Sequence, residues 1–489
     1  MFESTAFALK PLTLICLFLL FMVLYVLALR GPFKYVAMND ATYRFSHIEI
    51  FNALALNPIM SFIWAHKNYK RDMLDTFIAA DEHKMQLLQN QLFPLFAKSP
   101  KNEFALANKP HIMLNLMESF GLQMLEHSND INLLGELEKH FEEDFIFRRF
   151  LSFGNNTGPS LSMLFTYSPK VLLKSQYKKH YLAHTPIELY KAQGYKVIFL
   201  TSGNRTWFDV GEFMEIQGVD EIIDEIILSK EYKGVEKSRF AYGIGDEFMY
   251  KKALELLENA QQPLLILALT AANHSPYPNV YESISTESIP PNLLKHITRK
   301  PYKALNTYIY ANNEFGKFLS AFKNSWVKDK TIIAATGDHR MRDFTIDSIK
   351  ESALAYSVPL YLYVPSSYQH NIVYDAFRVG SHKDIFPTLY ALSLSEVEYL
   401  NLGGRNMLGT KENDKYEFAY NQALWLDEKG IYPLHSDRGY AYENPQSLLS
   451  NGEHFALDEY HLHFPKLYDE LNEQQLRFRL INMHQHKQD

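Results

Sequence analysis

Asp338 and His339 stand side by side where the apolar run Thr331–Thr336 has just passed Gly337. An acid beside an imidazole at such a place is either an ordinary turn, where Gly-Asp is common, or a ligand or catalytic pair. Three further apolar runs end in polar residues. Glu118-Ser119-Phe120-Gly121 follows His111–Met117, Gly203-Asn204-Arg205 follows Lys196–Ser202, and Asn273-His274 comes shortly after Pro263–Thr270. Each ending has a plain reading: Glu118 or Asn204 capping a helix, His274 satisfied within a loop. Gathered on one edge, Glu118, Asp338 and His339 would form an oxygen-and-imidazole donor set, suited to Mn²⁺, Mg²⁺ or Zn²⁺ and not to a soft metal. The candidate nucleophile is Thr157, between Asn156 and Gly158-Pro159 and ahead of an apolar run to Phe165. Its hydroxyl either caps that run as a helix or meets an anion such as phosphate at the helix N-terminus. Beside a divalent ion, the same hydroxyl would be an activated nucleophile.

The runs that must position these residues are continuously apolar. Together with Pro359–Val364 they read as five strands buried on both faces, the pattern of a parallel sheet covered by helices. That is an α/β fold, and ligands of such sheets gather at the carboxyl ends of the strands, where the polar endings fall. A chain of 489 residues exceeds one core, so a large domain with appendages is expected. Pro11–Leu29 is a stretch of 19 uncharged residues between Lys10 and Arg30, long enough for a hydrocarbon core of ~30 Å. No small-residue cleavage site follows Leu29, so it reads as a retained anchor, not a signal peptide. Ile50–Ala65, broken by Asn57-Pro58, is either an interfacial helix with Trp64 at headgroup level or a buried helix. Residues 66–105 read as polar helix linking the membrane to the catalytic body.

Composition excludes some functions. The net charge is −7, with 49 Lys+Arg against 56 Asp+Glu and no long basic block, so no nucleic-acid partner is expected. The single cysteine, Cys16, lies in the apolar span, which rules out intramolecular disulfides and Cys-based zinc sites.

The segments IMLNLMESFG, NNTGPS, LTAANHSPY, ATGDHR and SHKDIFPTLY occur in an order and spacing that resembles the sulfatase-like branch of the alkaline phosphatase superfamily. The lipoteichoic acid synthases and related phosphoglycerol transferases are nearest. The resemblance covers about residues 106–410, and RGPFKY and NALALNP resemble the stretch joining membrane helices to the catalytic domain in those proteins. It implies an alkaline phosphatase-like sandwich with a mainly parallel sheet. It also implies a single-metal site of Glu118, Thr157, Asp338 and His339, with Thr157 the nucleophile and His274 in contact with the transferred phosphate. The loop TSGNRTWFDVGEF would bind substrate through Asn204, Arg205 and Trp207, although Asp209 stands two residues after Trp207, where the phosphoglycerol enzymes carry Arg. A sulfatase proper needs a Cys or Ser in a C/S-x-P-x-R motif, and the only cysteine is in the apolar span. Arg340-Met341-Arg342 after the Asp-His pair speaks against a second metal of the phosphoethanolamine-transferase kind.

The implied activity is transfer of a phosphoglycerol-type headgroup from a phospholipid donor to an extracytoplasmic glycan or polymer acceptor. It would proceed through a phospho-threonine with one divalent ion, Mn²⁺ ahead of Mg²⁺ or Zn²⁺. Phosphoethanolamine transfer, ester hydrolysis by the same site, and non-catalytic lipid or glycan binding are the alternatives. The expected organisation is an anchor 1–35, a helical linker or interfacial segment 36–105, a catalytic domain 106–410 and a small α+β extension 411–489. The catalytic domain is expected on the extracytoplasmic face of the cytoplasmic membrane, whereas Arg30, Lys34 and Arg44 after the span would by charge alone keep it inside. A single span, where the related synthases carry about five, implies a shortened member or an upstream multi-helix membrane partner. Ser381 reads as a helix cap, His382 as structural, GGRNMLG as a loop and the HQHKQD histidines as solvated.

Overall fold

The computed structural model describes residues 10–30, 50–51, 54, 58–73, 79–127, 131–171, 173, 175–277, 289–297, 301–411 and 414–485. The expected boundary at 35–36, RGPFKY beyond Arg30 and most of NALALNP lie outside these residues.

Seven strands form the central sheet: β1 His111–Met117, β2 Phe145–Phe147, β3 Lys196–Thr201, β4 Glu221–Ile223, β5 Leu264–Leu269, β6 Thr331–Gly337 and β7 Leu360–Tyr363. Their order is β2-β7-β6-β1-β5-β3-β4, and all five continuously apolar runs are among them. From β6 to β4 the strands are parallel. Every residue of β1 is buried. Successive side chains point to opposite faces, so Ile112, Leu114 and Leu116 enter one core while Met113 and Met117 enter the other. The helices Thr157–Thr166 and Ile385–Ser393 cover the first face, and Asp246–Glu258 and Pro301–Lys323 cover the second. β7 departs from the parallel reading, pairing antiparallel with both β6 and β2. A strand covered on both faces is equally apolar in either direction, so composition does not reveal its sense.

The continuous helix expected over 66–105 is interrupted. Pro58–Met73 and Glu82–Gln91 are helical, but Phe96–Lys98 is a strand paired antiparallel with Glu398–Leu400. Leu88, Leu92 and Phe93 are buried in one cluster with Trp425, Phe464 and Tyr468, so this segment is docked on the body. The buried-helix alternative for Ile50–Ala65 does not hold where the segment is described, since Ile59 is 63% and Phe62 72% exposed. Pro11–Arg30 is helical, with its large apolar side chains from Leu12 to Val26 exposed. Its side chains are described through residue 27, and among the described residues no helix is long and apolar enough to cross a membrane.

Beyond residue 411 a five-stranded antiparallel sheet runs from Ala419–Tyr420 to Ser450–Ala456, and the helix Glu459–Gln485 follows. That helix returns to the catalytic body, with Leu476 and Leu480 in the first core. Its Arg479 is buried and donates to the carbonyls of Thr166 at 2.6 Å, Tyr167 at 2.9 Å and Ala183 at 2.6 Å. Thr166 ends the Thr157 helix, so the guanidinium satisfies carbonyls that a helix terminus leaves without partners.

Candidate active site

β1 and β6 end level, with Met117 opposite Gly337, so Glu118 and the Asp338-His339 pair leave the sheet together. The two loops are packed too closely for a side chain at 337: a Cβ on Gly337 would lie 2.1 Å from the Phe120 carbonyl. Ser119 turns the chain in a left-handed conformation, φ 55°, a strain that persists only where surrounding contacts impose it. Those contacts are the Ser119 N–H on Asp338 Oδ1 at 2.7 Å and its hydroxyl on Glu118 Oε1 at 2.8 Å. Thr157 is the first residue of its helix and does not cap it. Its buried hydroxyl instead donates to Glu118 Oε2 at 3.1 Å. One turn on, the Ser160 hydroxyl donates to the Asp338 carbonyl at 2.5 Å.

Glu118, Asp338 and His339 bring one ligand atom each to within 4.8 Å of one another, all buried. His339 Nδ1 lies 2.6 Å from the Arg340 carbonyl, which can only accept, so Nδ1 carries the proton and Nε2 is left with its lone pair. That Nε2 is 3.5 Å from Glu118 Oε1 and 3.4 Å from Asp338 Oδ2. Among the described residues, neither Nε2 nor Asp338 Oδ2 has a hydrogen-bond partner. Three converging acceptors, those of Asp338 and His339 without a donor, fit a hard divalent cation. Burial, and after it the Asp338 charge, pushes the Glu118 carboxyl well above the usual carboxylate range, a cost that a cation between the acids would remove.

A cavity of about 40 Å³ beside the cluster is lined by Glu118, Thr157, Asn204, Trp207, Tyr242 and His274, among others. His274 is half-buried and its ring lies 4.3 Å from that of Tyr242. Its Nδ1 donates to the Ser275 carbonyl at 2.5 Å, and burial holds the imidazole below its ordinary pKa. Asn204 and Trp207 thus join the predicted set, although both ends of the Asn204 amide are already used, on Glu225 and Thr206. Arg205 does not join it. Its guanidinium is paired with Glu215, because the chain turns after Asn204 and carries residue 205 against Gly211. Asp209, at the position where Arg was expected, is paired with Lys178 at 2.6 Å.

Several residues here escaped the sequence reading. Asp246 is fully buried, and its Oδ1 accepts from the Ser202 hydroxyl at 2.5 Å and from the N–H groups of Ala271 and Ala272 at 3.2 and 3.4 Å. One carboxylate thereby ties together the loops after β3 and β5. Arg342 donates to Asn156 Oδ1 at 3.1 Å, next to Thr157. Tyr242 had no signal beyond its neighbouring Gly243. Ser381 and Asp384 form a capping box, and His382 is buried between the Phe153 N–H and the Gly337 carbonyl, a structural role as expected.

The family model described as Sulfatase matches residues 110–393, more than half of the chain. Lipoteichoic acid synthase 2 of Bacillus subtilis (strain 168) is 23% identical over 149 residues, 30% of this chain; the match spans 22% of that protein's length. Among solved structures, a protein of the alkaline phosphatase superfamily from Vibrio parahaemolyticus superposes with a TM-score of 0.58 at 19% identity, covering 83% of this chain and 96% of that one. A lipoteichoic acid synthase from Listeria monocytogenes gives 0.56 at 17% identity, covering 81% and 97%. These likenesses establish an alkaline phosphatase-like α/β fold.

Proposed function

This chain belongs to the sulfatase family, and from that premise we propose that it is a membrane-anchored, metal-dependent transferase. It moves a phosphoglycerol-type headgroup from a phospholipid to an extracytoplasmic glycan or polymer, through a phosphorylated Thr157. One observation carries this reading: a buried hydroxyl at a helix N-terminus, 3.1 Å from Glu118, beside three acceptors that face one another. Two of the three named relatives are lipoteichoic acid synthases, which supports a polymer acceptor.

Glu118, Thr157, Asp338 and His339 would hold one divalent ion, Mn²⁺ ahead of Mg²⁺ or Zn²⁺; when bound it offsets charge on the phosphoryl oxygens and lowers the proton affinity of the threonine hydroxyl. Thr157 Oγ1 attacks phosphorus and the bond from phosphorus to the diacylglycerol oxygen breaks. The proton that Thr157 loses is balanced by the one the departing oxygen gains. His274 has Nδ1 committed to Ser275, which leaves Nε2 as the nitrogen to relay that proton. An acceptor hydroxyl then attacks phospho-Thr157, His274 takes its proton, and the threonine is restored. Asn204 and Trp207 shape the headgroup end of the cavity.

The division into anchor 1–35, linker 36–105, catalytic domain 106–410 and extension 411–489 belongs to the same proposal. The exposed apolar surface from Leu12 to Val26 supports the anchor, and the location of envelope polymers supports an outer-face catalytic domain.

The test is mass spectrometry of the full-length protein with Mn²⁺ and phosphatidylglycerol, with phosphatidylethanolamine in parallel. An adduct on Thr157 is expected, its mass naming the headgroup, and Thr157→Ala should show none while lowering turnover at least ~10³-fold. Diacylglycerol released to water with no acceptor dependence would identify a hydrolase. Absence of both the adduct and diacylglycerol would overturn the reading.

A further inference from the structure

We propose that Arg342 grips the phosphoryl oxygens of the group held at Thr157, an inference that rests on Thr157 as the nucleophile. Arg342 comes from the loop after β6, four residues beyond Asp338, and its exposed side chain reaches across to Asn156, where Nη1 donates to Oδ1 at 3.1 Å. That anchor holds the guanidinium beside the Thr157 helix N-terminus. Among the described residues it forms no ion pair with a carboxylate, unlike Lys178 and Arg205 of the neighbouring loops, which are held by Asp209 and Glu215. One of its five N–H groups is engaged with Asn156, which leaves a fork suited to two oxygens of a phosphoryl group.

The electrostatics point the same way. The positive field of Arg342 reaches Glu118, Tyr242, His274 and Tyr277, drawing each toward lower pKa against or alongside their burial. Its charge therefore lies within reach of the cavity that Glu118, Tyr242 and His274 line. A phosphate ester entering there adds negative charge beside two buried carboxylates. The guanidinium offsets that charge and orients the ester by two parallel hydrogen bonds. The ligand chemistry is a phosphate monoester or diester oxygen, whether of a headgroup or of free phosphate.

The experiment uses the full-length chain in detergent, as wild type, Arg342→Lys and Arg342→Ala. Mn²⁺ binding is measured first by calorimetry, then the binding of inorganic phosphate and of glycerol phosphate to the Mn²⁺-loaded protein. Mn²⁺ affinity is expected to be the same in all three. Both phosphate ligands should bind Arg342→Ala about 10- to 100-fold more weakly, with Arg342→Lys between, because lysine keeps the charge and loses the fork. Unchanged phosphate affinity in Arg342→Ala overturns the inference, as does a wild type that binds Mn²⁺ but no phosphate. Weakening confined to glycerol phosphate would assign Arg342 to the headgroup hydroxyls and overturn the phosphoryl contact. A wild type that binds no Mn²⁺ fails differently: it removes the metal site on which the proposed function stands.

Discussion

At the scale of single residues, the candidate site is built less from its proposed reacting groups than from the polar side chains that hold them. Asp246 does not line the cavity, yet its Oδ1 holds Ser202 before Gly203-Asn204 and the backbone of Ala271 and Ala272 before His274. Burial pushes this carboxyl up to about 7, so its place is maintained against a desolvation cost. Truncation to Ala would release both loops, and a misplacement of about 1 Å costs roughly 100-fold in rate. Asp246→Ala is therefore expected to lower kcat/KM about 100-fold on a chromogenic phosphodiester, while Asp246→Asn, whose amide oxygen still accepts the three bonds, recovers most of it. Equal loss in both variants would show that the negative charge matters, not the acceptor geometry.

At the scale of elements, the strand ends are stitched together by side chains with one donor or acceptor role. His111 opens β1, and its Nδ1 accepts from the Leu264 N–H of β5 at 3.1 Å, which requires an unprotonated nitrogen. Burial, with the Lys330 charge adding, holds this imidazole down at about 4 against 6.5 for a free histidine. Because the folded pKa is depressed, the unfolded chain binds the proton first. The stability His111 contributes is complete above pH 6.5 and is lost as pH falls toward about 4, by on the order of 3 kcal/mol. Urea unfolding between pH 7 and pH 4 should therefore decline less steeply for His111→Asn, whose amide oxygen still accepts from Leu264, than for wild type. Parallel curves would mean that the strand junction tolerates the imidazolium.

At the scale of the molecule, an acidic catalytic body is joined to an apolar helix that leaves its side chains exposed. Such a surface is stable in lipid and unstable in water. The full-length protein is expected to stay with membranes through a carbonate wash, and a chain of residues 79–489 to leave them. Full-length protein in the soluble fraction would sink the anchor. The flanking Lys and Arg argue for one orientation and the polymer acceptor for the other, so a reporter fused after Asp489 decides the side. Activity of that reporter only in the cytoplasm would overturn the outer-face assignment.

The amino-acid sequence alone determined the five long strands, because burial on both faces writes a continuous apolar run into a few adjacent residues. It likewise named Glu118, Thr157, His274, Asp338 and His339 as candidates, since short motifs at strand ends are local in the chain. What it left undecided depends on partners distant along the chain. Thr157 meets Glu118 across 39 residues and Ser160 meets Asp338 across 178. The direction of β7, the docking of residues 82–98, the diversion of Arg205 to Glu215 and the reach of Arg342 to Asn156 have no local signature. Arg479 is the extreme case: it ends the Thr157 helix from 313 residues away. A buried carbonyl must find a donor, and only the folded chain decides which segment brings it.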